Sequence, residues 1–412
     1  MTAASTPPAP AASPARLSLQ QVLVCGALIV TLSMGIRHGF GLWLQPVITD
    51  RGWTRETFSF AMAVQNLSWG LAGPLAGMLA DRFGAFRVLL IGALLYAVGL
   101  VAMSQATSGF GFMLGAGFVL GLAQSGTTYA VVYGVIARQI DPAKRSWAMG
   151  VAAAAGSFGQ FLMIPVERWL ISTAGWQTAL LILATAALAI LPLARGLREP
   201  PAAASSGVKQ GVSAAIREAM NYPSFRLLMA GYFVCGFQVV FIGVHLPSFL
   251  KDKGLGPEVA TIALMLVGLF NIFGTYVAGT LGQRMPKRYI LAAIYGLRGV
   301  VILTFISLPV SPLSVYIFAA AMGFLWLSTV PPTNAIVAQV FGVQYMSMLG
   351  GFVFFSHQVG SFLGVWLGGK LYDATGSYDV VWWICIALSV FAVLMNLPVR
   401  ETAIARPAAQ PA

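Results

Sequence analysis

Arg37 and Arg298 each sit near the middle of a long apolar block of this 412-residue chain, and no Asp or Glu lies at that depth. A guanidinium stays charged in any protein, and its planar fork matches a carboxylate bidentately. Buried without an acid, it either selects an anion or spends its donors on backbone carbonyls. For Arg298 the structural use competes directly, through carbonyls or Tyr295. Arg37 has its own alternative, pairing with helix-end carbonyls or Glu167 to hold an outer gate. Glu167 and Asp373 fall near the outer ends of their blocks. The three histidines, His38, His245 and His357, also lie in apolar blocks. His357, beside Gln358, donates and accepts when neutral and adds a cation when charged; an interhelical hydrogen bond is its other use. His38 adjoins Arg37 and so lies about 100° round a helix, which lets at most one of them point squarely inward. His245, near Pro247, reads as a gate or packing residue. Tyr129 and Tyr133, four apart, share a helix face and offer phenolic donors to a carboxylate. Gln65, Asn66, Gln160, Gln238, Asn271 and Asn334 add amides that serve as ligands or as glue between helices.

Other chemistries find no residues. Cys25, Cys235 and Cys385 are far apart in sequence, so neither a disulfide framework nor a metal pair follows. A Gly-rich phosphate loop with Lys is absent, as is a Gly-x-Ser-x-Gly elbow. We therefore expect no metal, no cofactor and no catalytic residue: the chain does not read as an enzyme.

The elements that must position these groups follow from composition. Hydrophobic residues make up 58% of the chain and charged residues only 9%, against about 25% charged in a soluble domain. The apolar residues form twelve blocks, at 20–48, 55–82, 86–106, 109–137, 145–171, 175–196, 223–250, 257–283, 288–308, 312–339, 345–371 and 378–398. Each is long enough to cross the ~30 Å hydrocarbon core as a helix. The expectation is an all-α membrane protein with twelve transmembrane helices. A net charge of +12 would suggest nucleic acid in a soluble protein, but in a membrane protein it reflects Lys and Arg gathered in cytoplasmic loops. Of the 24 basic residues, sixteen fall on the side of the termini, six on the other and two mid-span. Both termini are thus expected in the cytoplasm, with the chain in a plasma membrane, the inner membrane of a bacterium.

Residues 1–18 read as a disordered Ala/Pro-rich tail, and the first block is too long for a signal peptide. Two halves follow, 19–196 and 223–399, joined by a cytoplasmic linker at 197–222 and closed by a tail at 400–412. The halves repeat weakly. An offset of 201 places Gly150 on Gly351, Gly159 on Gly360 and Arg37 on Gln238, while 202 places Gly77 on Gly279 and Arg82 on Arg284. Two six-helix bundles in parallel pseudo-symmetry make a transporter architecture.

After the second block stands Gly77-Met-Leu-Ala-Asp81-Arg82-Phe-Gly84-Ala-Phe-Arg87. It resembles the signature loop of the major facilitator superfamily, Gly-x-x-x-Asp-Arg-x-Gly-x-x-Arg. In it Gly77 permits close helix approach, Gly84 a tight turn, and Asp81 a charged clasp that stabilises one state of a carrier. The second copy has Gln283 in place of the acid. Lys144-Arg145-Ser-Trp-Ala148-Met-Gly150-Val-Ala152-Ala-Ala154-Ala-Gly156-Ser-Phe-Gly159 is similar to the fifth-helix signature of the monocarboxylate porters and their oxalate/formate-exchanger relatives. Gly368-Gly369-Lys-Leu-Tyr372-Asp373-Ala-Thr-Gly376-Ser-Tyr378 also looks like that branch. Two features depart from it: Ser18-Leu19-Gln20-Gln21 replaces the acidic-Gly-aromatic head of the first helix, and the eighth block lacks the branch's Arg.

The resemblance implies a secondary transporter of a small organic anion, a monocarboxylate, working by alternating access as a proton symporter or anion exchanger. Helices one and eleven then line the cavity. Arg37 neutralises the carboxylate, with His357, Gln358, Tyr129, Tyr133, Asn271, Gln238 and Asn334 around it, and His38 or His357 carries any proton. The expected partners are the anion, protons and the lipid bilayer, without nucleic acid, for a monomer. The alternatives are an exporter of a small apolar compound and a non-transporting membrane sensor.

Overall fold

The computed structural model describes residues 17–199, 212–342 and 346–404. The expected tail up to residue 16, the middle of the linker, the end of the C-terminal tail and the side chain of Asp81 lie outside the described residues.

Ten stretches among the described residues are long and apolar enough to cross a membrane. Two further facts bring the crossings to twelve. Helix α8 (Pro142–Ala187) runs for 46 residues, about 69 Å at 1.5 Å per residue, roughly twice the bilayer core. It turns at Gly175, whose φ of 76° a side chain would resist, so it holds spans five and six. Helix α3 (Arg55–Phe83, 29 residues) has the length of a span but carries Arg55, Glu56 and Arg82 at its ends. It is started by Thr54, whose hydroxyl accepts from Thr57 N at 3.2 Å.

In the first half, span one is α1 (Leu19–His38) continued by α2 (Phe40–Arg51). Span three is α4 (Ala85–Gln105). Span four is built from α5 (Gly109–Phe112), a π-helical stretch at Met113–Val119, α6 (Leu120–Thr127) and α7 (Tyr129–Gln139). A short α9 (Ile190–Arg195) completes span six. The expected linker contains a helix, α10 (Val212–Asn221). In the second half, α11 (Pro223–Asp252), α12 (Pro257–Leu281) and α13 (Lys287–Ser307) are spans seven to nine. Span ten is α14 (Pro312–Leu325) and α15 (Val330–Phe341), followed by α16 (Met346–Thr375) and α17 (Asp379–Asn396).

The repeat is visible in the breaks. Spans four and ten are both interrupted, and the residues that restart them, Thr128 and Thr329, stand 201 positions apart. The apolar cores also separate by half: one cluster is drawn from residues 219–399, another from 22–197. A third belongs to the first half and reaches across through Val240, Val244 and Val365.

The halves meet along α3–α16, α2–α11 and α8–α12. On the face opposite the termini they are locked together. Arg55 of α3 forms a bidentate pair with Asp252 of α11, both bonds 2.7 Å, and its guanidinium lies 3.6 Å from the Tyr372 ring centroid. Asp373 of α16 accepts from the amides of Arg55 and Glu56, at 3.2 and 2.6 Å, so it caps a helix of the other half. On the terminal face Arg138 pairs with Glu199 and Lys287 with Glu401, and neither of these two pairs joins α1–α9 to α11–α17.

Candidate substrate site

Arg37 and His38 end α1, where the span breaks at Gly39 before α2 begins. The break needs glycine because any side chain there would overlap the Glu167 carboxyl, which fills the joint. Both Arg37 and His38 are half-buried and both line the same cleft, since the helix ends between them and its continuation. This differs from the expectation that a regular helix would let only one face inward.

The cleft is narrow, with about 30 Å³ of free space. The first half lines it with Arg37, His38, Met62, Gln65, Asn66 and Gln160, and the second half with apolar surface from Val240, Gly243, Leu264 and Trp326. Arg37 Nη2 donates to Asn66 Oδ1 at 2.6 Å. Asn66 is oriented for this by its own Nδ2, which donates to Met62 O at 2.8 Å. The guanidinium sits 4.8 Å from the Trp69 ring centroid, a cation–π contact. Its Nε is buried with no partner. No acid pairs with Arg37 among the described residues. His38 Nδ1 donates to Met34 O at 2.6 Å, which leaves Nε2 as an acceptor.

Aromatic rings continue from the cleft. Trp69 meets Phe354 edge-on at 5.2 Å, Phe354 stacks on His357 at 5.9 Å, and His357 lies 5.0 Å from Tyr232. The rings of Tyr129 and Tyr133 lie 5.6 Å apart, tilted by 36°, both half-buried. The Tyr129 hydroxyl rests on Gly156, where a methyl would overlap it.

The remaining expected residues divide. His357 and Gln358 bond each other, Nδ1 to Oε1 at 3.1 Å, and Gln358 Nε2 is buried without a partner, its side chain against Gly70 of the other half. They lie behind the Trp69–Phe354 pair and not in the cleft with Arg37. Asn271 bridges the halves and a helix break, giving Nδ2 to Ser157 Oγ and accepting from Leu327 N, both at 2.9 Å. Asn334 is half-buried near Gly350. Gln238 does not face Arg37: its Nε2 donates to Ser389 Oγ at 2.7 Å and to Cys385 O at 2.9 Å, and its Oε1 accepts from Arg298 at 3.3 Å. Arg298 itself is fully buried and satisfies the carbonyls of Leu325 and Trp326 where span ten breaks. Such free carbonyls inside a membrane need a donor, which assigns Arg298 to structure. In the loop after span two, Gly84 takes φ 87° as its tight turn requires. Gly77 has no neighbour within 4 Å of where a Cβ would stand, so it mediates no close helix approach here. Arg82 and Arg87 are exposed.

Glu167 departs most from the sequence reading. Placed near a helix end by counting, it is fully buried, one carboxyl oxygen accepting from Trp43 Nε1 at 2.7 Å and the other without a partner. A signal existed: Gly156, Gln160, Met163 and Glu167 recur at helical spacing on one face of span five.

Residues 23–365 match the family model of the Major Facilitator Superfamily. An uncharacterized MFS-type transporter of Bacillus subtilis, YcxA, is 24% identical over 370 residues, covering 88% of this chain and 90% of that protein. Monocarboxylate transporter 13 of Bos taurus is 26% identical over 383 residues, covering 89% and 86%. Human monocarboxylate transporter 11 is 27% identical over 339 residues, covering 78% and 69%. Among solved structures, a bacterial homolog of the human lysosomal transporter Spinster, in an inward-facing and unoccupied conformation, superposes with a TM-score of 0.68. It is 16% identical, with 92% of this chain and 94% of that one covered.

Proposed function

Because the chain belongs to the Major Facilitator Superfamily, whose members are membrane transporters, we propose that it is a secondary transporter of a small organic anion, a monocarboxylate, moved by alternating access. The observation that carries this reading is Arg37: a half-buried guanidinium facing a cleft between the halves, fixed by Asn66 and Trp69, with no acid in contact with it among the described residues. An intramembrane charge without a counter-ion is costly, and an arriving carboxylate removes that cost. The second half meets the cleft with apolar side chains, which suits the carbon skeleton. Arg37 binds the carboxylate and Asn66 orients it through Nδ2, His38 Nε2 accepts from a donor on the rest of the substrate, and Tyr129 and Tyr133 line the way towards the terminal face. The names of two similar proteins, monocarboxylate transporters at 26% and 27% identity, support the substrate class.

By the rule that Lys and Arg gather on the cytoplasmic side, the terminal face is cytoplasmic. The protein acts as a monomer in the plasma membrane. The reading is tested by counterflow in proteoliposomes with labelled acetate, lactate and pyruvate. Saturable exchange of at least one acid is expected, and Arg37→Gln weakens its affinity by roughly 10- to 100-fold, the worth of a charge-assisted hydrogen bond at about 1.5–3 kcal/mol. No saturable exchange of any acid would reject the reading.

A further inference from the structure

We propose that Glu167 is a proton-binding site of the carrier and that its proton is coupled to the anion on Arg37. The proposal rests on the transport reading above and adds the residue that makes transport proton-linked. Glu167 is an acid inside the membrane-spanning part, fully buried at the joint of α1 and α2. Trp43 donates to one oxygen, while the other is buried with no partner and no cation pairs with the carboxyl among the described residues.

The charged and titratable groups on the elements around it do not pair with it directly. On α1, Arg37 is turned to Asn66 and His38 to Met34 O. On α2, Arg51 is at the far end, over Trp176. Tyr96 of α4 donates to Ser33 O at 2.9 Å, and Tyr129 of α7 rests on Gly156. On α12, Glu258 is in the exposed first turn. On α8 itself, Arg168 is the next residue and so turned away by about 100°.

Coupling follows from charge. With anion and proton both bound, Arg37 and the carboxylate cancel and Glu167 is neutral. With neither bound, the cation of Arg37 and the anion of Glu167 sum to zero. With only one bound, the core of the first half holds a net charge, which a low-dielectric interior disfavours. The two half-loaded forms are therefore the ones that fail to cross. Both sites are attached to the same joint, Arg37 two residues before Gly39 and Glu167 pressed against it. The step is a simple protonation: the carboxylate oxygen takes a proton from water on one side and returns it on the other, with no other bond changed.

The experiment is infrared difference spectroscopy of the purified full chain between acid and alkaline buffer. It should show a carboxyl C=O band that Glu167→Gln removes and Trp43→Phe shifts, because the indole N–H bonds that oxygen. No such band in the wild type, or one that neither variant alters, overturns the proposal, and Trp43→Phe decides it even if Glu167→Gln cannot be purified. In proteoliposomes with labelled acetate, lactate and pyruvate, Glu167→Gln should lose accumulation driven by a proton gradient by a larger factor than it loses counterflow. Equal losses overturn the coupling. Absence of wild-type counterflow with all three acids rejects the transport reading instead, and the infrared result still decides whether Glu167 binds a proton.

Discussion

Arg37 and Arg298 carry the same side chain at similar depth, and their neighbours separate them. Arg298 spends its donors on the carbonyls of Leu325 and Trp326 and on Gln238, so its loss leaves buried acceptors empty. Arg298→Leu is expected to lower stability by about 2 kcal/mol or more, at 1–3 kcal/mol for each orphaned group, read as a lower unfolding temperature of the purified protein. Arg37→Gln should lower that temperature less, because Arg37 gives a hydrogen bond to Asn66 and a contact to Trp69 but satisfies no backbone carbonyl among the described residues. The contrast between the two variants tests the assignment. Sequence exposed both guanidinia, since a charge in an apolar block is conspicuous. It also favoured backbone carbonyls for Arg298, and Pro331 and Pro332 mark the break in span ten, but it did not give which carbonyls Arg298 would take. The full burial of Glu167 was missed for a related reason: position along a span measures depth in the bilayer, whereas burial depends on the helix packed against it, here the joint at Gly39.

Helix packing was legible where small residues recur. Gly360, Gly364 and Gly368 put α16 directly on α11, where added methyls would overlap the carbonyls of Phe233 and Phe237 and the ring of His245. Gly364→Leu therefore forces the two helices apart, and overpacking of this kind costs about 1–3 kcal/mol. The expected result is a lower unfolding temperature together with loss of counterflow, since α16 also carries His357 and the contacts to α3. The span boundaries read from the sequence agree with the helices to within a few residues, because the turns are marked by Gly and Pro and by changes in polarity. The interruptions of spans one and four were not legible, whereas Pro331 and Pro332 mark the one in span ten. Partners from other helices meet two of these breaks, Glu167 at Gly39 and Arg298 with Asn271 around residues 325–329.

At the level of the molecule, the two halves are joined more firmly on one face than on the other. The Arg55–Asp252 pair, stacked on Tyr372 and partly shielded, closes the face opposite the termini. Arg55→Ala should shift the population towards opening there. With the three native cysteines replaced, an impermeant maleimide added on that side should label Val240→Cys several-fold faster in the Arg55→Ala background; an unchanged rate would mean that this pair does not hold the closed form. A ligand that binds the native fold also raises its apparent stability by mass action, so a thermal-shift screen of organic acids gives a substrate test independent of flux.

One end of α3 links these scales. The amides of Arg55 and Glu56 are capped by Asp373, a carboxylate that belongs to the other half. In the alternating-access cycle proposed above, parting of the halves on this face takes the cap away with α16 and leaves Thr54 to hold the first turn. Those two amides should then exchange their hydrogens with solvent at a rate set by how often the face opens. A pair of backbone protons, followed by deuterium uptake, would count the turnovers of the carrier's conformational cycle without any label or known substrate.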